Sequence, residues 1–73
     1  MTVRDMNKDI KYTIKNLNCD SKMRSHLIAM GFVPGFEIQL IMHRFGGYVI
    51  ECLGGKYAIG KSLAEQIELE VND

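Results

Sequence analysis

The chain has 73 residues, of which 47% are hydrophobic and 25% charged, and its 9 basic and 9 acidic residues give a formal net charge of zero. This length fits one domain and is too short for a dinucleotide-binding fold or a barrel of alternating strands and helices. The hydrophobic fraction excludes a disordered chain, and the zero net charge argues against a dedicated nucleic-acid binder, which usually carries a basic excess. We therefore expect a single globular domain over residues 1–73.

The first ten residues carry four charges and contain no apolar run as long as that of a secretory signal. No stretch approaches the roughly 18 apolar residues that cross a membrane as a helix. The 2 cysteines, Cys19 and Cys52, could form at most one internal disulfide. These features favour a reduced, cytosolic protein without direct membrane insertion.

A strand and then a helix are predicted in the first half of the chain. Residues 10–17 begin with the alternation of a half-buried strand. Its buried face would carry Ile10, Tyr12 and Ile14. Residues 21–30 change to helical spacing, with one apolar stripe. The stripe consists of Met23, Leu27 and Met30. Periodicity predicts that Met23, Met30 and Met42 fill the core. Asp20 or Ser21 can cap the start of this helix, and Gly31 is the residue type that ends helices in the left-handed conformation.

Tight turns and short strands dominate the second half. Residues 33–36, Val-Pro-Gly-Phe, predict a type II turn, because proline presets φ at the second position and glycine supplies the positive φ at the third. Strands follow at 37–44, 48–53 and 56–60, separated by turns at Gly46-Gly47 and Gly54-Gly55. Ser62 and Glu65 match a capping box that opens at most one helical turn, and residues 67–71 alternate as a last strand.

Within the 37–44 strand, the alternation places Ile38, Leu40 and Met42 on one face and leaves Ile41 as an apolar residue on the polar face. Five short strands joined by tight turns favour a small, strongly bent barrel, since closure removes most free strand edges. The predicted fold is mainly β, with about five strands, one inserted α-helix and a short helical turn before the last strand.

The segment from His26 to Ile38, HLIAMGFVPGFEI, resembles the signature of the FeoA family, in which a helix ends in Leu-x-x-(Leu/Met)-Gly-(Leu/Phe)-x-Pro-Gly and a strand follows. The late residues Tyr57-Ala-Ile, Ala64 and Ile67-Glu-Leu also resemble that family's ending. The likeness covers roughly residues 2–71. The chain departs from the family at Gly60, where many members carry arginine, and at Gly46-Gly47, where many have Gly-Asp or Gly-Pro.

This resemblance implies an SH3-like β-barrel with an inserted helix. It also implies a small, cytosolic, non-enzymatic accessory of FeoB, the membrane ferrous iron transporter that carries a cytosolic GTP-binding domain. The same fold ends some iron-dependent repressors, but no DNA-binding helix pair precedes it here.

A metal site is the obvious alternative for an iron-transport family, and its candidate ligands are Cys19, His26, His43 and Cys52. No pair of them has the short spacing of a zinc or iron–sulfur knuckle. We therefore predict no metal site and no cofactor. No serine or cysteine precedes a plausible base and orienting group, and no glycine-rich phosphate loop precedes a helix, so no enzymatic activity is predicted either. An iron-sensing or metal-delivering protein stays open as an alternative.

Weak nucleic-acid binding is the other alternative, since small barrels can bind RNA with a basic groove and stacked aromatic rings. A basic patch near Tyr12 could be formed by Lys11, Lys15, Lys22, Arg24 and Arg44. Because the net charge is zero, the attraction to phosphates is limited. We therefore expect no nucleic-acid partner.

The predicted function is docking on a partner protein through the helix end and the turn after it. Gly31, Pro34 and Gly35 would set the backbone of this region. Apolar surface would come from Leu27, Ile28, Met30, Phe32, Pro34, Phe36 and Ile41. Leu27 and Met30 are expected to face the core. Ile28, off the helical stripe, Phe36 and Ile41 are the preferred exposed contacts, and Phe45 is a weaker candidate.

Self-association is a further expectation. Residues 1–44 carry a charge balance of +3 and residues 45–73 one of −3. Together with an open strand edge, this two-poled charge permits a homodimer.

Overall fold

The computed structural model describes residues 1–72. The elements in chain order are a 3-10 turn at Val3–Asp5, β1 Lys11–Leu17, α1 Ser21–Met30, β2 Glu37–Arg44, β3 Gly47–Cys52, β4 Gly55–Gly60, α2 Lys61–Ala64 and β5 Ile67–Val71. The strands form one antiparallel sheet in the order β4-β3-β2-β1-β5. The predicted mainly β fold, with a helix after the first strand and a helical turn before the last, is confirmed. No helix within residues 1–72 is long and apolar enough to cross a bilayer.

One hydrophobic core lies between the curled sheet and the elements that cover it. The largest fully buried side chains are Tyr12, Phe32, Ile14, Leu17, Leu27, Ile38, Ile50, Ile67 and Val3. Val3 in the N-terminal turn and Met6 directly after it also belong to this core, and the sequence pattern does not predict their burial. Phe32 lies under the helix end with its ring centroid 5.9 Å from that of Tyr57. The first residue of the predicted strand, Ile10, lies outside β1 and is exposed, contrary to prediction.

Two β-bulges change which side chains of β1 and β2 face the core. The pairing shifts between Ile14 and Asn16, so Leu17 is buried on the same face as Ile14. A second shift lies between Leu40 and Met42. A bulge adds one residue to one strand and reverses the alternation after it. The prediction that Met42 fills the core is therefore wrong, because Met42 is exposed.

The two hairpin turns each begin one residue earlier than predicted. Arg44 pairs with Gly47, so the β2–β3 turn consists of Phe45 and Gly46. Cys52 pairs with Gly55, which places Leu53 and Gly54 in the β3–β4 turn. In each glycine pair the second glycine is thus the first residue of the following strand.

Helix α1 has the predicted ends. The Asp20 carboxylate accepts a hydrogen bond from the backbone N–H of Met23 at 2.8 Å, and Gly31 ends the helix with φ +104°. Leu27 is fully buried, as predicted for the apolar stripe. Met23 belongs to the first turn and is exposed, so its predicted role as a core residue is wrong.

The predicted capping box at Ser62 and Glu65 is wrong. The N-cap of helix α2 is Gly60, which has no side chain to cap the helix, and Glu65 is the residue at the helix C-terminus. The Glu65 carboxylate instead accepts a hydrogen bond from the Arg4 guanidinium at 2.8 Å. A reciprocal capping box occurs at the N-terminal turn, between Thr2 and Asp5.

The end of α1 and the β3–β4 turn meet backbone to backbone. A Cβ added to Gly54 would overlap the Met30 carbonyl oxygen and lie 3.1 Å from its carbon. A Cβ on Gly31 would lie 2.8 Å from the Gly54 nitrogen. The Cys52 thiol approaches the same Met30 carbonyl at 3.6 Å. Glycine is therefore required at this crossing by space, in addition to the positive φ of Gly31.

We expect Gly54→Ala to lower the free energy of unfolding by about 2 kcal/mol, since the methyl group forces the helix end away from the turn. Gly60→Ala is the matched control, because Gly60 has φ −81° and no atom within 4 Å of an added Cβ. It should change stability by less than about 0.5 kcal/mol. Urea unfolding of both variants measures the difference, and equal stabilities would contradict the close contact.

Phe32→Ala should cost about 3–5 kcal/mol, because it opens a cavity in the core. Phe36→Ala removes the same ring from a position that is 39% exposed and should cost about 1 kcal/mol. Thermal and urea unfolding of the two variants measures both losses of stability. A larger loss for Phe36→Ala than for Phe32→Ala would contradict the assignment of Phe32 to the core.

Candidate functional site

The exposed apolar side chains are distributed over several parts of the molecule. Those with large exposed fractions are Met1, Ile10, Met23, Ile28, Phe36, Met42, Phe45, Leu53 and Val71. Leu53 and Phe45 stand out, because 81% and 100% of their surfaces are exposed. They lie in the two turns at opposite ends of β3, so they belong to different surfaces.

Phe36 and Leu53 line an open groove of about 390 Å³ together with Glu37. Phe36 precedes β2, and Leu53 lies in the turn whose next residue, Gly54, contacts the end of α1. Ile28 lies in the last turn of that helix and is 42% exposed. We call Ile28, Phe36 and Leu53 the helix-end surface.

The backbone of the helix-end surface is held by local and long-range hydrogen bonds. The predicted type II turn is confirmed by the φ of +95° at Gly35 and by the 2.9 Å bond from the Phe36 N–H to the Val33 carbonyl. The Gly35 N–H donates to the Ile14 carbonyl at 2.7 Å, and the Ile14 N–H donates to the Phe36 carbonyl at 2.9 Å. These two bonds attach the turn to β1, so Phe36 projects from a rigid support.

The residues predicted to bind a partner divide between core and surface. Phe32 was expected to provide apolar surface, and this is wrong because its side chain is completely buried. Leu27 is buried and Met30 packs partly buried against the core, both as predicted.

Ile28, Pro34 and Phe36 are exposed, whereas Ile41 is half-buried within the bulge of β2. The prediction that Ile41 is an exposed contact is therefore only partly correct. Ile41 also lies on β2, whereas the groove is formed by residues that flank the strands.

Leu53 is the residue of the helix-end surface that the sequence pattern does not predict as a contact. The predicted turn at Gly54-Gly55 places Leu53 at the end of a strand, where an apolar residue needs no functional explanation. Strand pairing moves the turn to Leu53 and Gly54, and the side chain then projects into solvent. A leucine directly before two glycines was the available signal.

Phe45 does not belong to the helix-end surface. It follows the last residue of β2, whereas Phe36 precedes the first. At about 3.3 Å per strand residue, the two rings are separated by roughly 20 Å or more.

The candidate metal ligands are not brought together. Cys52 is buried beside the helix end, whereas His43 is exposed and its ring stacks on that of Tyr48 at 4.0 Å between centroids. Cys19 is half-buried before the start of α1, and His26 is exposed on α1. Within residues 1–72, no group of three or more histidine, cysteine, aspartate or glutamate side chains has the geometry to hold a metal ion.

Tyr12, the aromatic residue of the nucleic-acid alternative, is buried. Tyr12 is 1% exposed, and its hydroxyl accepts a hydrogen bond from the Asn7 N–H at 2.9 Å. A ring that is buried in the core cannot stack on a base, so Tyr12 cannot serve as the aromatic ring of a nucleic-acid groove.

Comparison with protein-family models matches residues 1–71 to the FeoA domain. Among solved structures, the chain is similar to iron(II) transport protein A from Clostridium thermocellum, with 29% sequence identity and a TM-score of 0.87. That match covers 97% of this chain and 45% of the other, so this chain spans less than half the length of that protein.

A crystal structure of an iron uptake regulatory protein, FeoA, is 29% identical, with a TM-score of 0.83 and coverage of 99% of this chain and 100% of the other. The FeoA protein from Chlorobium tepidum is 16% identical, with a TM-score of 0.86 and coverage of 97% and 70%, and this likeness concerns the fold alone. A search of the curated proteins found no match. Because the family model matches residues 1–71 of the 73 in this chain, the chain belongs to the FeoA family.

Proposed function

We propose that this chain is a non-enzymatic accessory of ferrous iron uptake that docks on the cytosolic face of a FeoB-like transporter through the helix-end surface. The observation that carries the proposal is the exposed apolar groove between Phe36 and Leu53, next to the end of α1. Membership of the FeoA family supports the link to iron transport. In this proposal the chain acts in the cytosol, where it meets the cytosolic face of the transporter.

The helix-end surface has the properties of a protein-binding site. Leu53 exposes 81% of its surface and lines the same groove as the exposed Phe36, and adjoining exposed apolar side chains mark partner sites where isolated ones do not. The supporting turn is fixed by the Gly35 and Ile14 hydrogen bonds, so binding would order little of the backbone. A preformed surface keeps more of its contact energy as affinity.

The size of the surface suits a regulatory contact. Complete burial of a leucine, isoleucine or phenylalanine side chain contributes about 1.5–3 kcal/mol. A ligand that binds one conformation better by about 1.4 kcal/mol shifts a two-state equilibrium tenfold. Burial of Ile28 and Leu53 in one transporter conformation and not in another would therefore suffice to change its activity. The proposal assigns no chemical step to this chain, and GTP hydrolysis belongs to the partner.

We expect Leu53→Asp and Ile28→Asp each to weaken binding to the transporter at least tenfold while the fold is retained, because each places a charge in an apolar contact. Met23→Asp is the matched control, since Met23 is a similarly exposed apolar residue at the opposite end of the same helix. Binding to the detergent-solubilised transporter is measured by pull-down and calorimetry, and folding by circular dichroism.

Undiminished binding of both folded variants would remove the helix-end surface from consideration. Light scattering over a concentration series is run on the same proteins. If the unaltered chain dimerises and the two variants are monomers, the helix-end surface joins two copies of this chain instead.

A further inference from the structure

The turn between β2 and β3 holds a phenylalanine in a conformation that suits asparagine or glycine. Arg44 and Gly47 pair across the strands, and the two residues between them have φ values of +52° for Phe45 and +76° for Gly46. Positive φ at both positions is the type I′ pattern, for which Asn-Gly is strongly preferred. A bulky side chain is disfavoured in the left-handed region.

Burial of the Phe45 side chain does not stabilise the fold. Phe45 is 100% exposed, so its ring buries no surface against the core. The Arg44 guanidinium lies over the ring, 5.8 Å from its centroid. An aromatic side chain that folding does not require, held at the apex of a rigid hairpin, is available for contact with something outside the chain.

The surroundings of this apex are basic. Neither residues 38–50 nor residues 52–64 contain an aspartate or glutamate. Glu65, one helical turn after Lys61, is paired with the Arg4 guanidinium at 2.8 Å. Arg44 lies beside Phe45, and Lys61 follows Gly60, which pairs with Gly47 at the base of the turn. The hairpin apex therefore presents one apolar ring with two flanking cations, and we call Arg44, Phe45 and Lys61 the basic tip.

We propose that the basic tip binds the surface of a bilayer that contains anionic lipids. Aromatic rings favour the interface between headgroups and acyl chains, and lysine and arginine are attracted to an anionic leaflet. A bilayer accepts a convex, singly protruding ring, whereas a protein partner would need a matching pocket.

The basic tip and the helix-end surface lie at opposite ends of the β2–β3 hairpin, roughly 20 Å or more apart. One molecule can therefore touch lipid at one end and a protein at the other. Each basic residue near an anionic surface raises affinity about fivefold, so the tip alone gives weak, reversible binding. Weak lipid contact adds to a second contact by raising the local concentration of the chain at the membrane.

The test uses the full chain labelled with ¹⁵N and titrated with vesicles of pure phosphatidylcholine or of phosphatidylcholine with phosphatidylglycerol. We expect the amide signals of Phe45, Gly46 and Lys61 to broaden with the anionic vesicles at low salt, and not with the neutral ones. Phe45→Asn should lower vesicle affinity about tenfold. It should leave stability to urea unchanged or raise it, because Asn-Gly suits the turn.

Phe36→Asn is the matched control at the other end of the hairpin, and its vesicle affinity should equal that of the unaltered chain. Three outcomes would overturn the proposal: no binding to anionic vesicles, signal loss that excludes the tip, or undiminished binding of Phe45→Asn. Weaker transporter binding of Phe45→Asn in detergent, without any vesicle binding, would mean that the tip contacts protein. The lipid test needs no transporter, so its failure would leave docking at the helix-end surface unaffected.

Discussion

The contact between Gly54 and the last carbonyl of α1 determines the shape of the candidate site. Two backbones approach there with no room for a side chain at Gly54, and Gly31 must adopt a positive φ to let the chain leave the helix. Because the helix end and the β3–β4 turn are held together, Leu53 is brought beside Phe36, 17 positions earlier in the sequence. The groove is thus a consequence of a contact between two backbone segments. Because this contact is made by backbone atoms, the apolar side chains of the groove are not needed for it and remain exposed.

The molecule has two chemically different ends joined by a stiff hairpin. The helix-end surface includes an apolar groove with one carboxylate, Glu37, at its edge. The apex of the same hairpin carries a single exposed ring among basic residues. Within residues 1–72 no polar or charged side chain is buried, so the charges of both ends lie at the surface.

The two bulges explain most errors in reading burial from the alternation of β1 and β2. An apolar–polar alternation predicts burial only while the strand keeps its register. At Lys15 and Ile41 one extra residue enters the strand, so Leu17 turns inward and Met42 turns outward. Neither bulge has a glycine or proline to announce it. The bulges arise from the curvature that a five-stranded sheet needs to enclose its core.

The sequence by itself determined the features whose physics is local. Asp20 and Gly31 bound the helix because a capping carboxylate and a left-handed glycine act within one turn of backbone, and Pro34-Gly35 specifies a type II turn for the same reason. Tertiary structure decided which apolar residues remained exposed. Phe32 is buried and Leu53 is exposed because of the register between strands and the backbone contact at Gly54. Both the register and the contact depend on residues that are distant in the chain.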